Sequence, residues 1–200
     1  MQKNSKIKWM VEVAMLSAVA VVLMLLEFPL PFIAPPFYEM DFSEVPVLVG
    51  AFAIGPIAGV VIEGIKVILN LLINGTITAG VGEGANFLVG VAFILPAGII
   101  YKRKKTKKMA IIGMSVGGIV MAILSCFINA YVLIPAYGGA MGLEISAFVG
   151  MAQEIYKGID SLFEMVLLCV LPFNVIKVIS VSVVTTFLYK HISPILKSKN

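Results

Sequence analysis

Of the chain's 200 residues, 60% are hydrophobic and only 13% charged, whereas a soluble domain is about half apolar and about a quarter charged. That excludes an ordinary water-soluble domain, and apolar stretches close to the roughly 20 residues needed to cross a bilayer recur along the whole length. The net charge of +4 does not point to nucleic acid, because the basic residues gather at the ends of apolar segments instead of spreading over a polar face.

The first apolar stretch, 9–26, follows Lys3, Lys6 and Lys8. This is the charge layout of a signal peptide, but no small-x-small cleavage site precedes Glu27-Phe28-Pro29, so an uncleaved first span is expected. The connection 28–42 carries Pro29, Pro31, Pro35 and Pro36 among aromatics, which stiffens it and suits it to close over a flat ligand. The next stretch, 45–73, would form a single helix of about 43 Å, too long for a hydrocarbon core of about 30 Å unless steeply tilted. Gly55-Pro56-Ile57-Ala58-Gly59 breaks it in the middle, and two shorter spans are expected there. The remaining apolar stretches are 87–101, 109–134 and 162–189.

The basic residues fix the count. Cytoplasmic connections collect Lys and Arg. With six spans, the N-terminal lysines, the loop Lys102-Arg103-Lys104-Lys105-Thr106-Lys107-Lys108 and the tail lysines Lys190, Lys197 and Lys199 all share one side, leaving only three of the 15 basic residues elsewhere. The expectation is an all-α integral membrane protein, one membrane-embedded unit over 1–200, with six transmembrane helices at roughly 9–27, 44–55, 57–74, 84–101, 109–134 and 161–190 and both termini cytoplasmic. Glu27, Glu39, Asp41, Glu44, Glu83, Glu144, Glu154 and Asp160 then fall in or near the outer connections, and Trp9, Tyr101 and Tyr189 mark the inner interface.

The other basic residues are Lys66, Lys157 and Lys177. Lys157 lies in a connection, but an ionisable group inside a span faces the bundle interior with a partner or lines a site. Lys66 shares a helix face with Glu63 and Asn70, near the inner end of the third span, and reads as a local ion pair. Lys177 has no carboxylate within one turn. Counting at about 1.5 Å per residue puts it about 20 Å above the inner interface, Asn86 about 22 Å up with Glu83 a turn further out, and Asn129 near the outer end of the fifth helix. A shared outward-facing polar pocket is the economical reading, with separate interhelical hydrogen bonds as its competitor. Gly80-Val81-Gly82-Glu83-Gly84 allows close backbone approach in the second outer connection.

Several chemistries have no residues to carry them. There is no phosphate-binding loop G-x-x-x-x-G-K-[ST], no H-E-x-x-H and a single histidine, His191, so neither ATP hydrolysis by that route nor a metal site is expected. Cys126 and Cys169 sit in apolar stretches and imply no disulfide framework. Ser125 and Ser180 have no histidine at their depth. No enzyme activity is expected.

Glu27-Phe28-Pro29-Leu30-Pro31, Tyr38-Glu39-Met40-Asp41-Phe42-Ser43-Glu44-Val45-Pro46, Gly55-Pro56-Ile57-Ala58-Gly59, Ala85-Asn86-Phe87-Leu88-Val89-Gly90, Pro96-Ala97-Gly98 and Pro172-Phe173-Asn174-Val175-Ile176-Lys177 together resemble the substrate-binding S components of energy-coupling factor (ECF) transporters, and within them the riboflavin-specific members. The resemblance runs from the first helix to the sixth. It implies a six-helix protein of the bacterial plasma membrane that captures riboflavin near its outer face, as cargo and not as cofactor. The implied partners are a transmembrane coupling subunit with two ATP-binding subunits. It also implies that Ala14 and Ala18, an A-x-x-x-A pattern, belong to the docking surface, and that Asn129, Asn174 and Lys177 hold the flavin ring.

The residue chemistry agrees: the ring's uracil-like edge suits amides and one ammonium, and a dehydrated ring would penalise ligands that leave Lys177 unpaired. Phe37, Tyr38 and Phe42 are candidates to cover it, and Met40, Asp41, Asn86 and Glu83 complete the candidate site. Three alternatives stay open at this point: an S component for another vitamin, a proton-coupled secondary transporter using Glu63 and Lys66, and a membrane-embedded enzyme or structural subunit.

Overall fold

A computed structural model describes the backbone of residues 2–197 and the side chains of residues 6–188. Lys3, Tyr189, Lys190, His191, Lys197 and Lys199, on which part of the expected orientation rests, lie outside the described side chains. Nine α-helices make up almost all of the described chain: α1 (Gln2–Met24), α2 (Glu44–Ala53), α3 (Pro56–Asn74), α4 (Val81–Arg103), α5 (Lys107–Ile128), α6 (Ile134–Met141), α7 (Ile145–Gln153), α8 (Leu162–Met165) and α9 (Leu171–Lys197). Five stretches are long and apolar enough to cross a membrane: Lys6–Met24, Pro56–Asn74, Val81–Arg103, Lys107–Met141 and Leu162–Leu188.

The expected break inside 45–73 is present. Gly55 adopts φ 141°, which only glycine takes readily, and Pro56 opens α3, where its missing N–H costs nothing. The segment expected as a span over 44–55 is the 10-residue α2, about 15 Å long and thus about half of a hydrocarbon core. The end of the connection before α2 runs into the bundle, where Asp41 and Ser43 are buried. The connection is pinned by a small antiparallel ribbon, β1 (Phe28–Pro29) with β2 (Glu39–Met40), in which Phe28 faces Met40 and Pro29 faces Glu39. Beyond the ribbon Asp41, Ser43 and Glu44 are all buried. Lys66 therefore meets the start of α2, in the middle of the bundle, and not at the inner end of its span. Lys66 sits near the middle of α3, ten residues after Pro56 and eight before Asn74.

Two π turns shape the part of the bundle next to the ribbon and α7. Asn129–Leu133 joins α5 to α6, with the Ile134 N–H donating to the Asn129 carbonyl, so the helical run continues to Met141 past the expected end at 134. Val166–Val170 joins α8 to α9, with the Leu171 N–H donating to the Val166 carbonyl. Each is followed, after one intervening residue, by a proline, Pro135 or Pro172. Widening the turn shifts the hydrogen-bond register just where proline removes a donor, and the helix bends without ending.

Helices α4 and α5 pack closely because α5 presents glycine. A Cβ at Gly113 would lie 2.7 Å from the Ala97 carbonyl oxygen, and one at Gly117 would strike the Phe93 carbonyl oxygen. Small residues at this spacing let helix backbones approach in lipid, where dispersion and not water exclusion holds helices together. One apolar core joins α1 to α5 and α9 through Leu48, Phe52, Ile62, Phe93, Ile94 and Met114. A second gathers Met40, Ile134, Phe148, Met165 and Phe173 beneath the ribbon and α7. Outward-facing Ile57, Leu72, Ile119 and Phe187 are exposed, an apolar surface suited to lipid.

Candidate functional site

A cavity of about 270 Å³ lies between the two cores, lined by Met121 from one and Ile134 and Phe173 from the other. This is at the small end of the range for small-molecule sites. Around it stand Glu83 and Asn86 from α4, Asn129 from the first π turn, Asn174 and Lys177 from α9, and Phe37, Tyr38 and Asp41 from the first connection. Of the residues singled out in the sequence, the fold thus brings these together around one space. Met40 and Phe42 are not in its lining; they pack into the apolar cores. Ala14 and Ala18 lie on α1, exposed away from the bundle.

The two asparagines are held in the same way. Asn129 Nδ2 donates to the Ser125 carbonyl at 2.8 Å, and Asn174 Nδ2 donates to the Val170 carbonyl at 2.9 Å. Each side chain is anchored on its own helix while its carbonyl oxygen points elsewhere. Asn129 Oδ1 accepts a hydrogen bond from the Tyr38 hydroxyl at 2.7 Å. Burial, followed by the neighbouring Cys169 and Tyr137, pushes the Tyr38 hydroxyl well above its ordinary range, so it stays a donor.

Lys177 is not a free donor awaiting a ligand. Its Nζ donates to Asp41 Oδ2 at 2.8 Å, and both side chains are buried. The Ser43 N–H donates to the other Asp41 oxygen at 2.7 Å. Burial works to raise the Asp41 carboxyl, but Lys177, and behind it Lys66, outweigh that and hold it well below the usual carboxylate range. A ligand that takes hydrogen bonds from Lys177 therefore shares it with Asp41.

Sequence reasoning missed part of the lining: Glu27 just before the ribbon, Glu39 on it, and Asn70, Tyr137 and Phe173. The aromatic members form a cluster. Phe37 and Tyr38 have ring centroids 4.6 Å apart, Tyr38 and Phe173 5.7 Å, and Phe37 and Tyr137 6.1 Å. Phe173 was legible in principle, since one turn of helix separates it from Lys177. Glu27 lies where α1 gives way to the ribbon. Its carboxyl is pushed up to about 7 by partial burial, then by Glu39 and Asp41. Five carboxylates, Glu27, Glu39, Asp41, Glu44 and Glu83, line the cavity against one ammonium, Lys177, so the space disfavours anions.

Among the described residues no cluster of His, Cys, Asp and Glu is arranged to hold a metal ion. What remains is a recognition site: amides that donate and accept, one paired ammonium, and an aromatic wall.

Residues 8–189 match the family model for the substrate-specific component of ECF transporters. The chain is 37% identical over 197 residues to the riboflavin transporter RibU of Staphylococcus aureus, covering 98% of this chain and 95% of that one. It is 34% identical over 190 residues to the riboflavin transporter FmnP of Bacillus subtilis, with 94% of each covered. A solved S component of a bacterial ECF transporter superposes with a TM-score of 0.73 at 37% identity, over 96% of this chain and 99% of that structure. These matches span the ribbon, the cavity and all five long helices, and the chain belongs to the family of substrate-specific components of ECF transporters, which are transporter components and not enzymes.

Proposed function

We propose that this protein captures riboflavin from the outer side of the bacterial plasma membrane and delivers it for uptake as the specificity subunit of an ECF transporter. The observation that carries this reading is near-full-length similarity to proteins named riboflavin transporters, at 37% and 34% identity. The cavity supports it chemically. Asn129, Asn174 and Lys177 meet the uracil-like edge of the ring, whose oxygens accept and whose N–H donates. Phe37, Tyr38 and Phe173 face the flat apolar body. Asn86 and Glu83 stand further round the wall, suited to the hydroxyls of the ribityl chain.

In this reading the chain makes six crossings, with α2 a half-length one completed by the descending ribbon, and the basic loop 102–108 and both termini face the cytoplasm. A transmembrane coupling subunit and two ATP-binding subunits supply the energy, and Ala14 and Ala18 on α1 give a coupling subunit a close approach. The experiment is uptake of labelled riboflavin in bacteria lacking their own uptake system. Uptake is expected when this chain is expressed with a coupling subunit and its ATPases, and none with the chain alone. Uptake by the chain alone that collapses with the proton gradient would overturn the assignment.

A further inference from the structure

The polar network under the cavity extends beyond the residues that line it. Lys66 on α3 is wholly buried, and its ammonium touches three oxygens: Ser43 Oγ at 3.0 Å, Glu44 Oε1 at 2.9 Å and Glu63 Oε1 at 2.8 Å. Ser43, also buried, donates its backbone N–H to Asp41, and Asp41 accepts from Lys177. The path from Lys66 through Ser43 and Asp41 to Lys177 joins α3 to α9 through the corner at which the first connection enters α2. Neither Lys66 nor Ser43 is in the cavity lining.

We propose that Lys66 is a positioning residue for ligand capture: by holding Ser43 and Glu44 it fixes Asp41, and through Asp41 it aims the Lys177 ammonium into the cavity. This rests on the riboflavin reading above. The Lys66 ammonium donates to Ser43 Oγ and to Glu44 Oε1 and sits at ion-pair distance from Glu63, so Lys66 cannot release the Ser43 corner without leaving a buried donor proton unmet. Asp41 is in turn gripped at both oxygens, one by the corner and one by Lys177. Loosening the corner leaves the Asp41–Lys177 pair intact but free to swing as a unit, and the ligand then meets a misdirected donor.

The test is a mutant cycle read by quenching of riboflavin fluorescence in the purified full-length protein. Ser43→Ala removes only the hydroxyl that Lys66 grips. It is expected to weaken binding about tenfold, the scale of one hydrogen bond to a charged group. Lys66→Met is expected to weaken it at least as much. In an Asp41→Asn background, where the relay to Lys177 is already broken, the Ser43→Ala loss is expected to shrink to within about twofold. A merely structural role would give the same loss in both backgrounds, and that result, or no loss from Ser43→Ala at all, overturns the proposal. Lys66→Met strands two buried carboxylates, and if it does not fold, the Ser43→Ala pair decides alone. A wild-type protein that fails to bind riboflavin overturns the ligand reading itself, a result distinct from binding that ignores Ser43.

Discussion

The Lys177–Asp41 pair is a buried contact whose loss is readable in stability and, on the proposed function, in ligand binding. Both groups are buried at 2.8 Å, so removing either one leaves an uncompensated charge, which typically costs about 3–5 kcal/mol, whereas neutralising both often costs little. Lys177→Met is therefore expected to lower the thermal stability of the purified protein sharply, and Lys177→Met with Asp41→Asn to recover most of it. Riboflavin binding should be lost in both variants, because the ammonium is gone from both. Equal stability of the single and double variants would show that the pair is not the buried contact described. Glu27 gives a second residue-scale test, in pH. Its carboxyl is raised from its ordinary 4.5 to about 7, so the folded protein holds that proton more tightly than the unfolded chain does. Its contribution to stability is present below about pH 4.5 and is lost as pH rises toward about 7, with no further change above. Glu27→Gln should therefore gain stability relative to wild type between pH 5 and pH 8, read as the difference in Tm; a difference independent of pH would contradict the burial of Glu27 beside Glu39 and Asp41.

The helices owe their arrangement to a few small or irregular residues. Gly117 lies so close to the Phe93 carbonyl that any Cβ must push α5 off α4, and overpacking of this kind costs about 1–3 kcal/mol. Gly117→Ala should lower the Tm measurably, while Gly139→Ala, with open space around it, should not; similar Tm values for the two would argue against the close α4–α5 contact. Much at this scale was legible in the sequence. The Gly55-Pro56 break, the long apolar stretches and the gathering of Asn86, Asn129 and Lys177 around one space follow from composition and a fixed rise per residue. The descent of the ribbon was not legible, because nothing local says that a proline-rich connection enters the bundle. The half-length of α2, the pairing of Lys177 with Asp41 136 residues away, and the meeting of Lys66 with Glu44 all follow from that one tertiary event. The π turns were hidden for a related reason: Pro135 and Pro172 each remove a donor, and only the packed helix shows the register shift that absorbs the loss.

For the molecule as a whole, charge is expected to decide which ligands the site accepts. The cavity is lined by five carboxylates and one ammonium already engaged by Asp41, with no cationic cluster to receive a phosphate. Riboflavin 5′-phosphate is expected to bind at least about tenfold more weakly than riboflavin in competition titrations, the discrimination expected of like charges forced together; equal affinity would show that the phosphate escapes the carboxylates. The same whole-molecule view ties capture to delivery. The cavity is lined from the ribbon, whereas Ala14 and Ala18 lie on an exposed face of α1, so the proposed ligand and the proposed coupling subunit would meet different surfaces of one bundle. The most direct measurement is titration of riboflavin with the purified protein, following fluorescence quenching for wild type, Asn174→Ala and Lys177→Ala. Tight, saturable quenching by wild type that weakens about tenfold or more in each variant is the predicted result. Riboflavin fluorescence left unchanged by wild-type protein would contradict flavin capture in this cavity.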